Sequence, residues 1–287
     1  MTTTPSASTA AAPDPDGFPV HTVNMPLTPR EFRPAGTDGT PHTYGRIRLT
    51  PQTRVIGAQV DGLDLAAPLD AVTRTELRQA LLEWKVLFFS GQTLTASQQR
   101  EFAAVFGTPE RDHPFLPNAG DPHVVRLARD AQNPGTENIW HSDMTFSPQP
   151  PLGSVLRAVE VPATGGDTLW ADMAAAYDGL PDAVRRRIAD LRAVHEIPQA
   201  PGDVGAARAR LRPVEHPVVR THPETGRQLL YVNRVFTSRI VGLSTQASWE
   251  LLDFLTRQAD YPEYQVRLHW EPGTVAVWDN RATQHYA

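Results

Sequence analysis

The sequence predicts a mostly β fold with flanking helices, arranged as a double-stranded β-helix of the jelly-roll, cupin-like kind. Three observations predict it. Apolar runs of strand length recur along the chain, bounded by Gly, Pro, Asn and Asp. Segments of helical period lie between these runs, as helices packed outside a strand-rich barrel would. Two metal-binding side-chain types stand two positions apart at His141 and Asp143, and a third, His285, stands near the far end. Their convergence requires strands that are remote in sequence and adjacent in space, which suits antiparallel strands closing into a barrel.

Taken in order, Arg46-Ile47-Arg48-Leu49 and Arg54 to Val60 read as paired strands, with Gly57 as a bulge or a point of close approach. Leucines 77, 81 and 82 among charges between Asp70 and Trp84 predict an amphipathic helix on the sheet. Lys85-Val86-Leu87-Phe88-Phe89 is a buried strand, and Ala96 to Phe106 a second helix stopped by Gly107. Ala171 to Val194 reads as a helical segment with Ile188 and Leu191 on one side and Arg185-Arg186-Arg187 on a solvated face. Pro201 to Pro213 reads as a loop or frayed helix, of the kind that covers a site mouth. Leu229 to Val232 is a strand, Ser248 to Gln258 a helix, and Tyr264 to Trp270 and Thr274 to Trp278 are the last strands. No internal repeat is visible.

The chain has 287 residues, enough for one sizeable core, and residues 40–287 are expected to form a single domain. Residues 1–39, rich in Thr, Ala, Pro and Asp and without apolar period, are expected to be a disordered tail. They lack the basic start and apolar run of a secretory signal, and no run of about 18 apolar residues is present to span a bilayer. The expected location is therefore cytoplasmic, with no membrane partner. A net charge of -5 gives no basic footprint for nucleic acid. With no cysteine, disulfides, thiolate metal sites and cysteine nucleophiles are excluded, which leaves His, Asp and Glu as the ligand pool.

The chemistry centres on Trp140-His141-Ser142-Asp143. In extended backbone His141 and Asp143 point to the same side, because side chains alternate with a period of two. Two imidazoles and a carboxylate on one face of an octahedral Fe(II) leave the opposite face open for a co-substrate and oxygen. A bare His-x-Asp is common by chance, so the words around it carry the argument.

Those words are Ile56 to Leu65, Lys85 to Phe89, Trp140 to Phe146, Thr164-Gly165-Gly166-Asp167-Thr168-Leu169-Trp170, His216 to Arg220, Tyr231-Val232-Asn233 with Phe236-Thr237, and Trp278 to His285. In this order, across residues 45 to 287, the chain resembles the taurine dioxygenase family of Fe(II)- and 2-oxoglutarate-dependent oxygenases. The resemblance implies His141, Asp143 and His285 as iron ligands and Thr168 as a hydroxyl donor to a 2-oxoglutarate carboxylate. It implies Fe(II), 2-oxoglutarate and O2 as cofactor and co-substrates, with succinate and carbon dioxide formed as a small substrate is hydroxylated. Asp143 argues against a halogenase, in which that carboxylate is lost. In the family, an arginine after the second histidine pairs with the distal carboxylate of 2-oxoglutarate. The chain reaches Ala287 before that position, and Arg281 matches a family position ahead of the histidine. The expectation is an incomplete C-terminal end, since a closing strand would also be missing and would leave an unpaired edge. The other reading is a protein that does not hold 2-oxoglutarate in the usual way.

The resemblance also places His113, Leu116, Glu137 and Phe236 at the substrate, and Phe146 is a further candidate for the pocket wall. Plainer readings stand beside some of these: His113 as a loop histidine before a proline, Phe146 and Phe236 as core, and, ahead of Thr168, the Gly165-Gly166 pair as a hairpin turn. Leu116 stands where the taurine enzyme has a tyrosine and Glu137 where it has an asparagine, which weighs against taurine itself. Trp140, Trp170 and Trp278 read as packing, and His216 and His222 as structural. The expected activity is hydroxylation of an aliphatic carbon in a small, anionic, sulfonate- or sulfate-ester-like substrate. The alternatives are a tailoring hydroxylase or desaturase of specialised metabolism, or a non-catalytic cupin-like metal-binding protein. A homo-oligomer is a further expectation.

Overall fold

Two apolar faces of the same short strands organise the molecule, a computed structural model that describes residues 34–35, 41–113, 116–130, 135, 138–198 and 211–287. Every side chain of β3 (Val86–Phe89) is buried. Because a strand sends alternate side chains to opposite faces, Leu87 and Phe89 go one way and Val86 and Phe88 the other. The first pair packs with Val275 and Val277 of β14 (Val275–Asp279) against Leu77, Leu81 and Trp84 of α1 (Ala71–Trp84) and Phe102 of α2 (Ala96–Ala103). The second pair packs with Ala276 and Trp278 against Trp170 of β7 (Thr168–Asp172) and Val266 of β13 (Gln265–Leu268). One sheet therefore has helices on its outer face and a second sheet on its inner face.

The first sheet runs β1 (Arg48–Pro51), β2 (Ala58–Asp61), β3, β14, β6 (Gly153–Arg157). All its pairings are antiparallel except β2 with β3. The facing sheet has β7 between β13 and β15 (Thr283–Tyr286), both antiparallel. A further sheet places β8 (Arg192–His195) between β12 (Thr237–Ile240) and β9 (Val214–Pro217), and β10 (Val219–Thr221) pairs with β11 (Gln228–Leu230). A small ribbon joins β4 (Asn118–Asp121) to β5 (Val124–Val125). Strand neighbours distant in sequence, with helices outside, are the double-stranded β-helix expected of the chain.

Local chemistry explains the element ends. The Asp70 carboxylate accepts from the Thr73 amide at 2.9 Å to cap α1, and Thr95 and Gln98 form a reciprocal capping box on α2. Lys85 ends α1 with φ 65, and its buried Nζ donates to the carbonyls of Val55 at 3.0 Å and Glu83 at 3.1 Å while pairing with Asp172 at 3.1 Å. That ion pair ties the α1–β3 junction to the end of β7, and Asp172 also caps α3 (Met173–Asp178). Gly57 (φ 83) is the expected point of close approach, since a Cβ there would lie 2.8 Å from the Val266 side chain.

Some expected elements are revised. The helical stretch from Ala171 to Val194 is broken: Ala171 belongs to β7, α3 and α4 (Asp182–Ile188) meet at Gly179 to Pro181, and Ala193 and Val194 belong to β8. A proline after a turn cannot continue the ladder of amide donors, so the helix restarts there. Arg186 and Arg187 are exposed and Arg185 pairs with Asp182, as a solvated face would have it. Helix α2 stops at Ala103, and tighter turns carry the chain to Phe106. Within the expected tail, Ala35 is buried in the core and its amide donates to the Arg54 carbonyl at 2.9 Å, so the folded body reaches back beyond residue 40. The loop expected at 201–213 lies outside the described residues up to 210. The α5 helix (Thr245–Thr256) and the last strands fall where expected. Among the described residues no helix is long and apolar enough to cross a membrane.

Candidate metal centre

His285 is delivered by β15, where the register sets it opposite Trp170 of β7. His141 joins the same ladder through an isolated antiparallel bridge, its amide donating to the His285 carbonyl at 3.0 Å and its carbonyl accepting from the His285 amide at 2.7 Å. Directly opposed residues send their side chains to the same side, and the two imidazoles lie 4.1 Å apart by ring centre. Asp143 does not continue the strand, contrary to expectation. It opens a turn in which Met144 takes φ 51, and its amide and carbonyl are bound by the Asn280 side chain instead of a neighbouring strand. The carboxylate nevertheless reaches the imidazoles: Asp143 Oδ1 is 3.8 Å from His141 Nε2 and 3.6 Å from His285 Nε2. Donor atoms of all three residues fall within 4.8 Å of one another.

The protonation pattern suits a cation. His141 Nδ1–H donates to the Ile139 carbonyl at 2.8 Å, which leaves the Nε2 lone pair free on the side of the cluster. Burial pushes the His285 imidazole down to about 4, outweighing the attraction of Asp143, so this ring is neutral at neutral pH. Burial alone would raise the Asp143 carboxyl. The neighbouring His285 and His141, the Ser154 hydroxyl and His113 together hold it below the ordinary carboxylate range. Ser154, on β6, donates to Asp143 Oδ2 at 2.9 Å and leaves Oδ1 facing the imidazoles. Two imidazole nitrogens and one carboxylate oxygen form a donor set that fits a divalent first-row metal.

Thr168 opens β7, two residues from the partner of His285 and hence on the same face of the strand. Its buried hydroxyl accepts from Trp270 Nε1 at 2.9 Å, so its own proton remains available to an acceptor. The glycine turn before it is also present, with Gly165 and Gly166 at φ 80 and 70. Phe236 and Phe146 pack edge to face at 5.1 Å, and Phe236 approaches the His141 ring at 6.4 Å. The two phenylalanines thus form an apolar wall beside the cluster. His113 is partly buried, which lowers its imidazole, while Asp143 and Glu110 pull the other way. Leu116 is partly buried, and Glu137 lies outside the described residues.

Several supporting residues take on their roles only in the fold. Behind the Asp143 turn, the Thr145 hydroxyl meets His195 Nδ1 at 3.0 Å and receives Asn233 Nδ2–H at 3.1 Å. Asn233 Oδ1 accepts from the amides of Val235 and Phe236, so one buried amide joins the turn to the loop that carries Phe236. Burial and then the neighbouring His216 push His195 down to about 3. His216 bonds the carbonyls of Thr145 and Ser147, and His222 the Asp279 carboxylate, both structural as expected. Trp140, Trp170 and Trp278 are buried packing residues. Ser154, Asn233 and Asn280 are ordinary polar residues by type, and only their partners reveal them.

A family model described as "Taurine catabolism dioxygenase TauD, TfdA family" matches residues 47–287. The "Alpha-ketoglutarate-dependent sulfate ester dioxygenase" of Pseudomonas putida is 40% identical over 262 residues, covering 86% of this chain and 85% of that protein. The "Alkylsulfatase" of Acinetobacter baylyi is 38% identical over 260 residues, covering 84% and 80%. A taurine dioxygenase structure from Burkholderia xenovorans superposes with TM-score 0.74 at 40% identity, covering 85% of this chain and 83% of that one. The structure of AAD-2 with Mn(II) and N-oxalylglycine superposes with TM-score 0.71 at 30% identity, covering 84% and 91%.

Proposed function

The chain belongs to the taurine catabolism dioxygenase TauD, TfdA family, and from that premise we propose that it oxidises the carbon next to the ester oxygen of an alkyl sulfate. It is a 2-oxoglutarate-dependent dioxygenase that uses Fe(II), 2-oxoglutarate and O2. The non-catalytic metal-binding alternative gives way to the enzyme. In this reading His141, Asp143 and His285 hold the metal. The single observation that carries it is the convergence of their donor atoms, from segments remote in sequence, within 4.8 Å.

Bound iron with 2-oxoglutarate and O2 supplies the oxidant, one oxygen atom ending in succinate and the other in the substrate. The chain's own residues orient and exclude. The Thr168 hydroxyl donates to a carboxylate oxygen of 2-oxoglutarate. Phe146 and Phe236 hold an alkyl segment by apolar contact and keep water from the reacting carbon. His113 stands at the polar end. The substrate carbon exchanges a C–H bond for C–OH; the hydroxyl proton is then lost, C=O forms, and the C–O bond to sulfate breaks. The products are an aldehyde and sulfate. Support for the sulfate ester over taurine comes from the two relatives named for sulfate esters and from Leu116, which brings no hydroxyl to a small amino sulfonate.

The test is a reaction with Fe(II), 2-oxoglutarate and O2 across alkyl sulfates of increasing chain length, with taurine alongside. Succinate and sulfate are expected in equal amounts with alkyl sulfates, and neither above a His141→Ala control with taurine. Substrate-dependent succinate with taurine but not with alkyl sulfates would reverse the assignment.

A further inference from the structure

We infer that Asn280 is a positioning residue for the metal-binding carboxylate, a role that rests on the proposed ligand set. Asn280 sits at the corner between β14 and β15, five residues before His285 and almost wholly buried. Its Oδ1 accepts the Asp143 amide at 2.7 Å, and its Nδ2 donates to the Asp143 carbonyl at 2.9 Å and to the Pro151 carbonyl at 3.3 Å. A primary amide presents an acceptor and a donor side by side, so it can complement the two polar groups of one residue as a strand neighbour would. Asn280 therefore lets Asp143 leave the ladder, with Met144 at φ 51, without orphaning its backbone groups.

The corner is itself held from both sides. Its own amide donates to the Leu152 carbonyl at 2.9 Å. Asp279 is bound by His222 Nε2 at 3.0 Å and by Arg281 Nη2 at 2.7 Å, and Arg281 Nη1 reaches Glu224 at 2.6 Å. Glu224 in turn pairs with Arg78 of α1 at 3.1 Å. Asn280 thus fastens the carboxylate-bearing turn to the same rigid hairpin that delivers His285, and sets the spacing between two of the three donors. Ser154 fixes which carboxylate oxygen points inward, and Asn280 fixes where the carboxylate starts.

The experiment is anaerobic titration of the full chain with Co(II), followed by d–d absorption, beside thermal unfolding of the metal-free protein. Asn280→Ala is expected to weaken Co(II) binding by roughly 10- to 100-fold and to alter the d–d band, the usual cost of losing an outer partner of a ligand. Leu251→Ala, in the buried face of α5, serves as a control of comparable destabilisation and is expected to keep wild-type affinity. Asn280→Asp keeps the acceptor and loses the donor. It is expected to fall between wild type and Asn280→Ala, and it decides the matter by the same readout if the alanine variant does not fold. Affinity within about twofold of wild type in a folded Asn280 variant overturns the inference, as does an equal loss in Leu251→Ala. If Asp143→Ala binds Co(II) like wild type, the ligand reading itself fails, which is a separate outcome.

Discussion

The part of the site that carries His285 is strand ladder, whereas the part contributed by residues 141–147 is largely turns held by side chains. On the ladder side, β15 pairs with β7, β7 with β13, and the Lys85–Asp172 ion pair anchors the end of β7. On the turn side, Asp143 depends on Asn280 and Ser154, and Thr145 depends on Asn233, His195 and His216. A ladder fixes a side chain by repeated backbone pairing, which many sequences can supply. A turn of this kind rests on a few buried amides and imidazoles, each of which must be present.

The sharpest way to break the comparison is to remove one donor from each side. His285→Ala and Asp143→Ala are each expected to lower Fe(II)-dependent succinate formation at least about a hundredfold, beyond what loss of an outer partner costs. Thermal unfolding is expected to separate them, because β15 keeps its backbone pairing without the imidazole. A metal-free His285→Ala protein that unfolds far below Asp143→Ala would contradict the contrast.

Phe236 probes the apolar wall. Phe236→Ala is expected to raise KM for a long alkyl sulfate about tenfold, the worth of a phenylalanine's apolar contact, while Co(II) affinity stays unchanged. An equal loss of metal affinity would mean that the wall and the donor cluster are one unit.

Acid is expected to act on both sides, through His285 on the ladder and His195 on the turn side. The buried His195 titrates at about 3 in the folded protein and near 6.5 when unfolded. Below pH 6.5 the unfolded chain therefore takes a proton that the native one refuses, and stability falls as pH drops from about 6.5 toward 3, by at most about 1.4 kcal/mol per pH unit for this group. Unfolding midpoints between pH 7 and 5 for wild type and His195→Gln check the sign. A slope that does not flatten in the variant assigns the acid sensitivity elsewhere.

The smallest effect is expected at Leu116, which is only partly buried. Leu116→Ala should change kcat/KM for alkyl sulfates less than about threefold, and a larger change would bring that segment into the apolar wall.

Much of this protein was legible in its residues alone. The unbroken apolar runs Val86 to Phe89 and Val275 to Trp278 marked strands, and the structure buries them with helices on one face and a sheet on the other. The His-x-Asp pair and the distant histidine stand out by residue type, and the resemblance carried by the surrounding motifs singled them out as ligands and added Thr168. Tertiary structure decided the rest. The extended reading of residues 140–143 failed at Asp143, and the single helix expected over 171–194 became two helices and two strand ends. Ser154, Asn233 and Asn280 took on their hydrogen-bonding roles only in the fold, although the last two lie within the motif stretches. The reason is physical: a period of two or 3.6 is a property of neighbouring residues, whereas the hydrogen bonds between Asn280 and Asp143 join groups 137 positions apart and exist only once the chain has folded.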